Sequence, residues 1–175
     1  MDLNRRDVSA AAVAALSATS PAEAAAADGI SRDHAAIHQV VMLAAPPGRI
    51  YQTLTTASLF DRVVRASAAM NSDMKKMLGT APTQIDARPG GAITLFGGYI
   101  TGFNLELVSD TRLVQAWRSG AWKPGEYSIA RFVLEPQGGS TRLTFDHGGF
   151  PGDDAAQLAK GWHGNYWTPL AKTLS

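Results

Sequence analysis

The spacing of apolar residues divides the chain into a β-branched opening run, a helical stretch, a long alternating stretch and a final helical stripe. Ile37 to Leu43 (IHQVVML) is apolar and β-branched, which predicts a strand. Pro46-Pro47-Gly48 ends it. Pro47 suits the first turn of a helix in which Ile50, Tyr51 and Leu54 share one face. A second short helix is expected from Ser58, which caps it, with Leu59, Val63 and Val64 inward. Met70, Met74, Met77 and Leu78 recur at helical spacing and predict a third.

Beyond Gly79 the pattern turns to strands and breakers. Gln84–Ala87, Ala92–Phe96, Tyr99–Val108, Arg112–Arg118, Tyr127–Glu135 and Thr141–His147 read as six strands. Pro89-Gly90-Gly91, Gly97-Gly98, Ser109-Asp110, Lys123-Pro124-Gly125 and Pro136-Gln137-Gly138-Gly139 separate them, so they form an antiparallel meander. Thr94, Arg118, Arg131 and Thr141 are assigned to the wet faces of these strands. From Asp153 or Asp154, either able to cap a helix, Leu158 or Ala159, Trp162, Tyr166, Leu170 and Leu174 recur at i, i+3/i+4 spacing. This order predicts one α+β domain over 34–175, a curved antiparallel sheet with a long C-terminal helix laid across it.

Composition narrows the function more than the fold. The 175 residues, 45% of them hydrophobic, suit a single packed domain. Sixteen basic residues against fifteen acidic ones give a net charge of +1, which argues against nucleic acid or a membrane surface as a partner. With no cysteine, the chain offers no disulfide, thiolate metal site or cysteine nucleophile.

Residues 1–27 stand apart in composition. Arg5 and Arg6 precede a weakly apolar run from Val8 to Leu16 and then an alanine-rich stretch that suits signal peptidase near Ala22-Glu23-Ala24 or Ala24-Ala25-Ala26. This resembles a twin-arginine (Tat) signal peptide, with Asn4-Arg5-Arg6-Asp7-Val8 at the motif. The run is far short of the ~20 apolar residues that span a bilayer, so no stable membrane span is expected. The expectation is a periplasmic mature chain starting near Asp28, and a cytoplasmic protein if the signal is not used.

Several further residues carry a family resemblance. Pro89-Gly90-Gly91-Ala92, Leu95-Phe96-Gly97-Gly98, Ile100-Thr101-Gly102, Val114-Gln115-Ala116-Trp117-Arg118, Ala121-Trp122, Gly161-Trp162 and Tyr166-Trp167-Thr168-Pro169-Leu170 occur in that order. Together they resemble the C-terminal-type domain of activators of the heat shock protein 90 ATPase, in the START/Bet v 1-like (SRPBCC) superfamily. The resemblance covers about residues 36–174; residues 66–82 depart from it. It implies a helix-grip fold, a sheet wrapped round the C-terminal helix, often with a hydrophobic pocket between them. It implies no single activity, because the superfamily includes lipid carriers, hormone receptors, polyketide cyclases and co-chaperones.

Candidate chemistry is sparse. His34 and His38 are four apart across a linker and a strand, where two imidazoles do not converge, so no metal or cofactor is expected. His147, after Asp146 at a strand end, is a candidate general base or simply a hydrogen-bonded histidine. If Phe145 faces inward, Leu143 and His147 share its face and Asp146 points out. Tyr99 is the other candidate acid or base. His163 is placed at the flank of the terminal helix. The aromatics carry more weight: Phe96, Tyr99, Trp117, Trp122, Tyr127, Trp162 and Tyr166 are expected to line a ligand pocket. Met70, Met74 and Met77 read either as an adaptable lid or as a surface helix docked on the sheet rim. The leading expectation is a domain that binds a small hydrophobic or aromatic molecule without covalent chemistry. The alternatives are a cyclase- or hydratase-like enzyme using Tyr99, His147 or Asp146, and a stress-linked domain that binds a protein partner.

Overall fold

The computed structural model describes residues 30–31, 36–152 and 155–175. The expected leader, His34 and the proposed caps Asp153 and Asp154 lie outside the described residues. The strands are β1 (Ile30–Ser31), β2 (Ala36–Leu43), β3 (Gln84–Ile85), β4 (Ala92–Leu95), β5 (Ile100–Val108), β6 (Arg112–Ser119), β7 (Ser128–Gln137) and β8 (Ser140–Gly148). They form one curved antiparallel sheet in the order β1-β2-β8-β7-β6-β5-β4-β3. Strands β3 to β8 are the predicted meander. β2 joins its far edge, pairing Ile37 with His147 and Leu43 with Thr141. β1 lies ahead of the predicted domain start and carries no strand signal of its own.

Helices α1 (Pro47–Thr55) and α2 (Ala57–Ala66) follow β2. One extended residue, Thr56, ends the first and begins the second, so Ser58 lies inside α2 instead of capping it. The third predicted helix is replaced by two 3-10 turns, Ala69–Asn71 and Asp73–Lys76. Side chains there compete with the helix for backbone groups. Asn71 Nδ2 donates to the Arg65 and Ser67 carbonyls, and the Ser72 hydroxyl accepts from Met74 N–H.

The terminal helix runs from α3 (Ala155–Trp162) through a π-helical turn (His163–Trp167) into α4 (Thr168–Leu174). Pro169 accounts for the widened turn. It has no N–H to offer the carbonyl four residues back, and its ring crowds that carbonyl. Instead the Thr168 N–H bonds the His163 carbonyl, five residues back. The wider turn rotates Trp167 onto the face of Trp162, and the two indoles stack at 5.7 Å and 21°.

The core is one layer between the inner face of the sheet and these helices. Phe132, Phe145 and Leu143 from β7 and β8 meet Trp162, Trp167 and Leu170 from the helix. Thr141, assigned to a wet face, is buried and donates its hydroxyl to the Ala45 carbonyl at 2.7 Å. It shares the inward parity of Leu143 and Phe145, and the carbonyl compensates its burial. Arg131 does stand on the exposed outer face.

Candidate functional site

The core is not filled evenly. Between the β4–β6 end of the sheet and the terminal helix lies a cavity of about 240 Å³. The turn between β4 and β5 supplies Phe96 and Tyr99, the strands supply Ile100, Trp117 and Ser119, and the loop after β6 supplies Ala121 and Trp122. Leu158, Gly161, Trp162, Asn165 and Tyr166 form the helix wall, and Ala69, Met74 and Leu78 form a roof. Met74, Ala121 and Gln157 are the exposed members of this wall and mark its mouth. No side chain of the wall carries a charge.

Local backbone geometry builds the wall. Phe96, Gly97 and Gly98 take positive φ of 50°, 69° and 95°. The left-handed conformation costs a bulky residue about 1–2 kcal/mol. It leaves the Phe96 ring packed on Tyr166 at 5.5 Å and Phe60 at 6.5 Å. The same turn holds the roof. A Cβ on Gly97 would lie 1.8 Å from the Gly79 carbonyl oxygen, so only glycine permits this backbone contact, and Ala81 N–H donates to the Gly97 carbonyl at 3.2 Å. On the other side, the N–H groups of Ala68 and Ala69 bond the Gly164 carbonyl and Asn165 Oδ1 of the π turn.

A chain of hydrogen bonds runs behind the wall. Trp162 Nε1 donates to His147 Nδ1 at 2.9 Å, which fixes the imidazole proton on Nε2. That proton faces Ser128 Oγ at 2.6 Å, and Ser128 donates to the Trp117 carbonyl at 3.0 Å. Burial pushes the His147 pKa down to about 3. Trp117 Nε1 donates to the Tyr166 hydroxyl at 3.3 Å. Burial raises the Tyr166 pKa, outweighing the opposing effect of the Trp117 bond, so the phenol stays protonated.

The structure brings six of the seven predicted pocket aromatics together: Phe96, Tyr99, Trp117, Trp122, Trp162 and Tyr166. Tyr127 is the exception. It precedes inward-facing Ser128, so alternation turns it outward, where it is 41% exposed and packs on Phe103 at 6.0 Å. His147 shares the inward face with Leu143 and Phe145, but it lies behind the cavity, 1% exposed, with both ring nitrogens engaged. That placement removes it as a general base. Asp146 stands on the outer face with His38 Nδ1 at 2.6 Å and Arg131 at 3.7 Å. His163 is exposed on the terminal helix. Sequence reasoning missed Ser119, Gly161 and Asn165. The signal for Gly161 and Asn165 is there in the helix itself, where a glycine or an asparagine is a poor choice unless space or a bond requires it. Of the methionines, Met74 reaches the cavity and Met77 is 75% exposed.

Comparison with known proteins places this architecture. Over 128 residues the chain is 23% identical to mouse "Activator of 90 kDa heat shock protein ATPase homolog 1", covering 73% of this chain and 33% of the relative. It is 37% identical over 71 residues to the uncharacterized protein C1711.08 of Schizosaccharomyces pombe, covering 41% of this chain and 21% of that one. The chain thus spans a third or less of these curated relatives. Among solved structures, an HSP90 activator from Plasmodium falciparum superposes with a TM-score of 0.67 at 20% identity, covering 79% of this chain and 95% of that one. CalU16 from Micromonospora echinospora superposes with a TM-score of 0.61 at 18% identity, covering 80% and 76%. At these identities the structural likeness speaks for the fold, and the helix-grip architecture is shared. Residues 44–175 match the sequence pattern of the family described as "Activator of Hsp90 ATPase homolog 1-like protein", and the chain belongs to that family.

Proposed function

We propose that this protein holds a small, uncharged apolar or aromatic molecule in the cavity between β4–β6 and the terminal helix, and performs no covalent chemistry on it. One observation carries the reading: the core keeps a 240 Å³ space whose wall is uncharged and carries six aromatic side chains. Such walls favour apolar ligands, and a buried ion would find no counter-charge. The cyclase- or hydratase-like alternative needs a titratable group at the cavity. Of its three candidates only Tyr99 lines it.

Gly161 supplies the test. A Cβ there meets no heavy atom within 4 Å outside the helix's own backbone, and Gly161 lines the cavity, so Gly161→Leu adds a side chain where there is open space. Naphthalene is the probe, followed through the fluorescence of Trp117, Trp122 and Trp162. One molecule is expected to bind per chain in the wild type and none in Gly161→Leu. Wild-type fluorescence that naphthalene leaves unchanged overturns the reading.

We also propose that residues 1–27 direct export to the periplasm. The mass of the chain recovered from the periplasm should correspond to a start near Asp28. Recovery of the whole chain in the cytoplasm overturns this part alone.

A second reading has its own support. Phe103, Leu105, Tyr127 and Ile129 are all more than 40% exposed on the outer face. Phe103 and Ile129 flank Ala116 in register, making an apolar stretch across three strands. Together with relatives named as Hsp90 activators, this favours a protein partner on that face. Added to a purified Hsp90, the wild type should raise ATP turnover and Phe103→Ser should not. No stimulation by the wild type sinks this second reading.

A further inference from the structure

One hydroxyl at the cavity wall keeps a hydrogen to give. The Tyr166 hydroxyl has one hydrogen and two lone pairs. A lone pair takes the Trp117 indole N–H, and the hydroxyl hydrogen has no acceptor among the described residues. The side chain is only 6% exposed and lines the cavity. Elsewhere on the wall Ser119 Oγ receives the Ala121 N–H, and Asn165 Oδ1 receives the Ala69 N–H. The Tyr166 hydroxyl therefore has a hydrogen to offer an acceptor in the cavity.

A charged acceptor does not fit, because no lysine, arginine or histidine lines the space. A carboxylate or phosphate would be desolvated there without a counter-ion. A neutral carbonyl oxygen meets both conditions. Size sets the rest. An apolar cavity of about 150 Å³ holds benzene, so 240 Å³ suits a two-ring skeleton.

We infer that the ligand is an uncharged two-ring aromatic carbonyl compound, and that the Tyr166 hydroxyl selects it by donating a hydrogen bond to its oxygen. This rests on the cavity being a binding site, as proposed above. The Trp117 N–H polarises the phenol and strengthens its donation, as in any hydrogen-bonded chain.

The test compares 1-tetralone with tetralin, which shares its skeleton and lacks the oxygen, in the wild type and in Tyr166→Phe. The preference for 1-tetralone over tetralin should fall about tenfold in the variant, the size of one well-placed hydrogen bond, with tetralin affinity held within about twofold. A second measurement needs no variant: the carbonyl stretch of 1-tetralone bound to the wild type should lie below its value in hexane. If both probes bind, the preference survives in Tyr166→Phe and the stretch is not lowered, the inference is overturned while the cavity reading stands. If neither probe binds the wild type, both fall together.

Discussion

The terminal helix covers two halves of one sheet, and it treats them differently. Over β7, β8 and β2 the aromatics pack solid. Phe145 lies 4.3 Å from Trp162 and 5.0 Å from Trp167, and Phe132 lies 5.0 Å from Phe145. Every buried polar group named in that half is matched: His147 at both nitrogens, and Trp167 Nε1 to Gln39 Oε1 at 2.7 Å. Over β4, β5 and β6 the same residue types enclose a space, and the Tyr166 hydroxyl keeps a hydrogen to spare. Aromatic content alone therefore does not mark a binding site. The mark is an enclosed space in an aromatic wall where the Tyr166 hydroxyl keeps a hydrogen that no described residue accepts.

Four variants would break or sharpen that contrast. Trp162 touches both halves, and Trp162→Ala should have the largest effect, lowering stability by about 3–5 kcal/mol in denaturant unfolding. His147→Ala should follow, at about 2–4 kcal/mol, because Trp162 Nε1 and Ser128 Oγ lose a buried partner. Naphthalene binding by whatever fraction stays folded should persist.

His147 also fixes a pH dependence. Its folded pKa of about 3 lies below the ordinary 6.5. Between those values the unfolded imidazole takes up a proton that the folded one refuses. Wild-type stability should therefore fall as pH drops from about 6.5 toward 3, by about 1 kcal/mol per pH unit from this group. His147→Ala should show a shallower slope in that window, and equal slopes would mean the histidine is not held neutral. Gly161→Leu should raise stability by about 1 kcal/mol through helix propensity while closing the cavity. Tyr127→Ala should change stability by less than about 0.5 kcal/mol and leave naphthalene binding unaltered. A loss of binding there would move the site to the outer face.

Much of this was legible in the sequence, and the failures have physical causes. Period-two alternation placed the meander, and the face of Phe145 predicted that Leu143 and His147 point inward. The wide apolar stripe from Leu158 to Leu174 located the covering helix. Tyr127 went astray because it stands just ahead of the β7 ladder, where composition alone does not set the parity. Thr141 was misread because a threonine looks solvent-facing until the partner for its hydroxyl, the Ala45 carbonyl from a distant loop, is known. The π turn was hidden for a similar reason. Pro169 near a helix interior signals a disturbance, but whether the helix breaks, kinks or widens depends on what its aromatics can pack against. The methionine spacing around Met74 fitted a helix. The capping side chains of Asn71 and Ser72 won locally.

The closure of the sheet has a consequence for how the molecule is made. Short β1 pairs with one edge of β2, but the other edge finds its partner in β8, and the His38–Asp146 contact spans 108 residues. The three large aromatics that cover the sheet arrive later still, on the terminal helix. Hairpins such as β5–β6 and β7–β8 can form during synthesis. A strand pairing that distant is slow to nucleate, and an uncovered sheet face is adhesive. The nascent chain must therefore stay soluble, with the β8-facing edge of β2 unpaired, until the helix that covers the sheet has emerged.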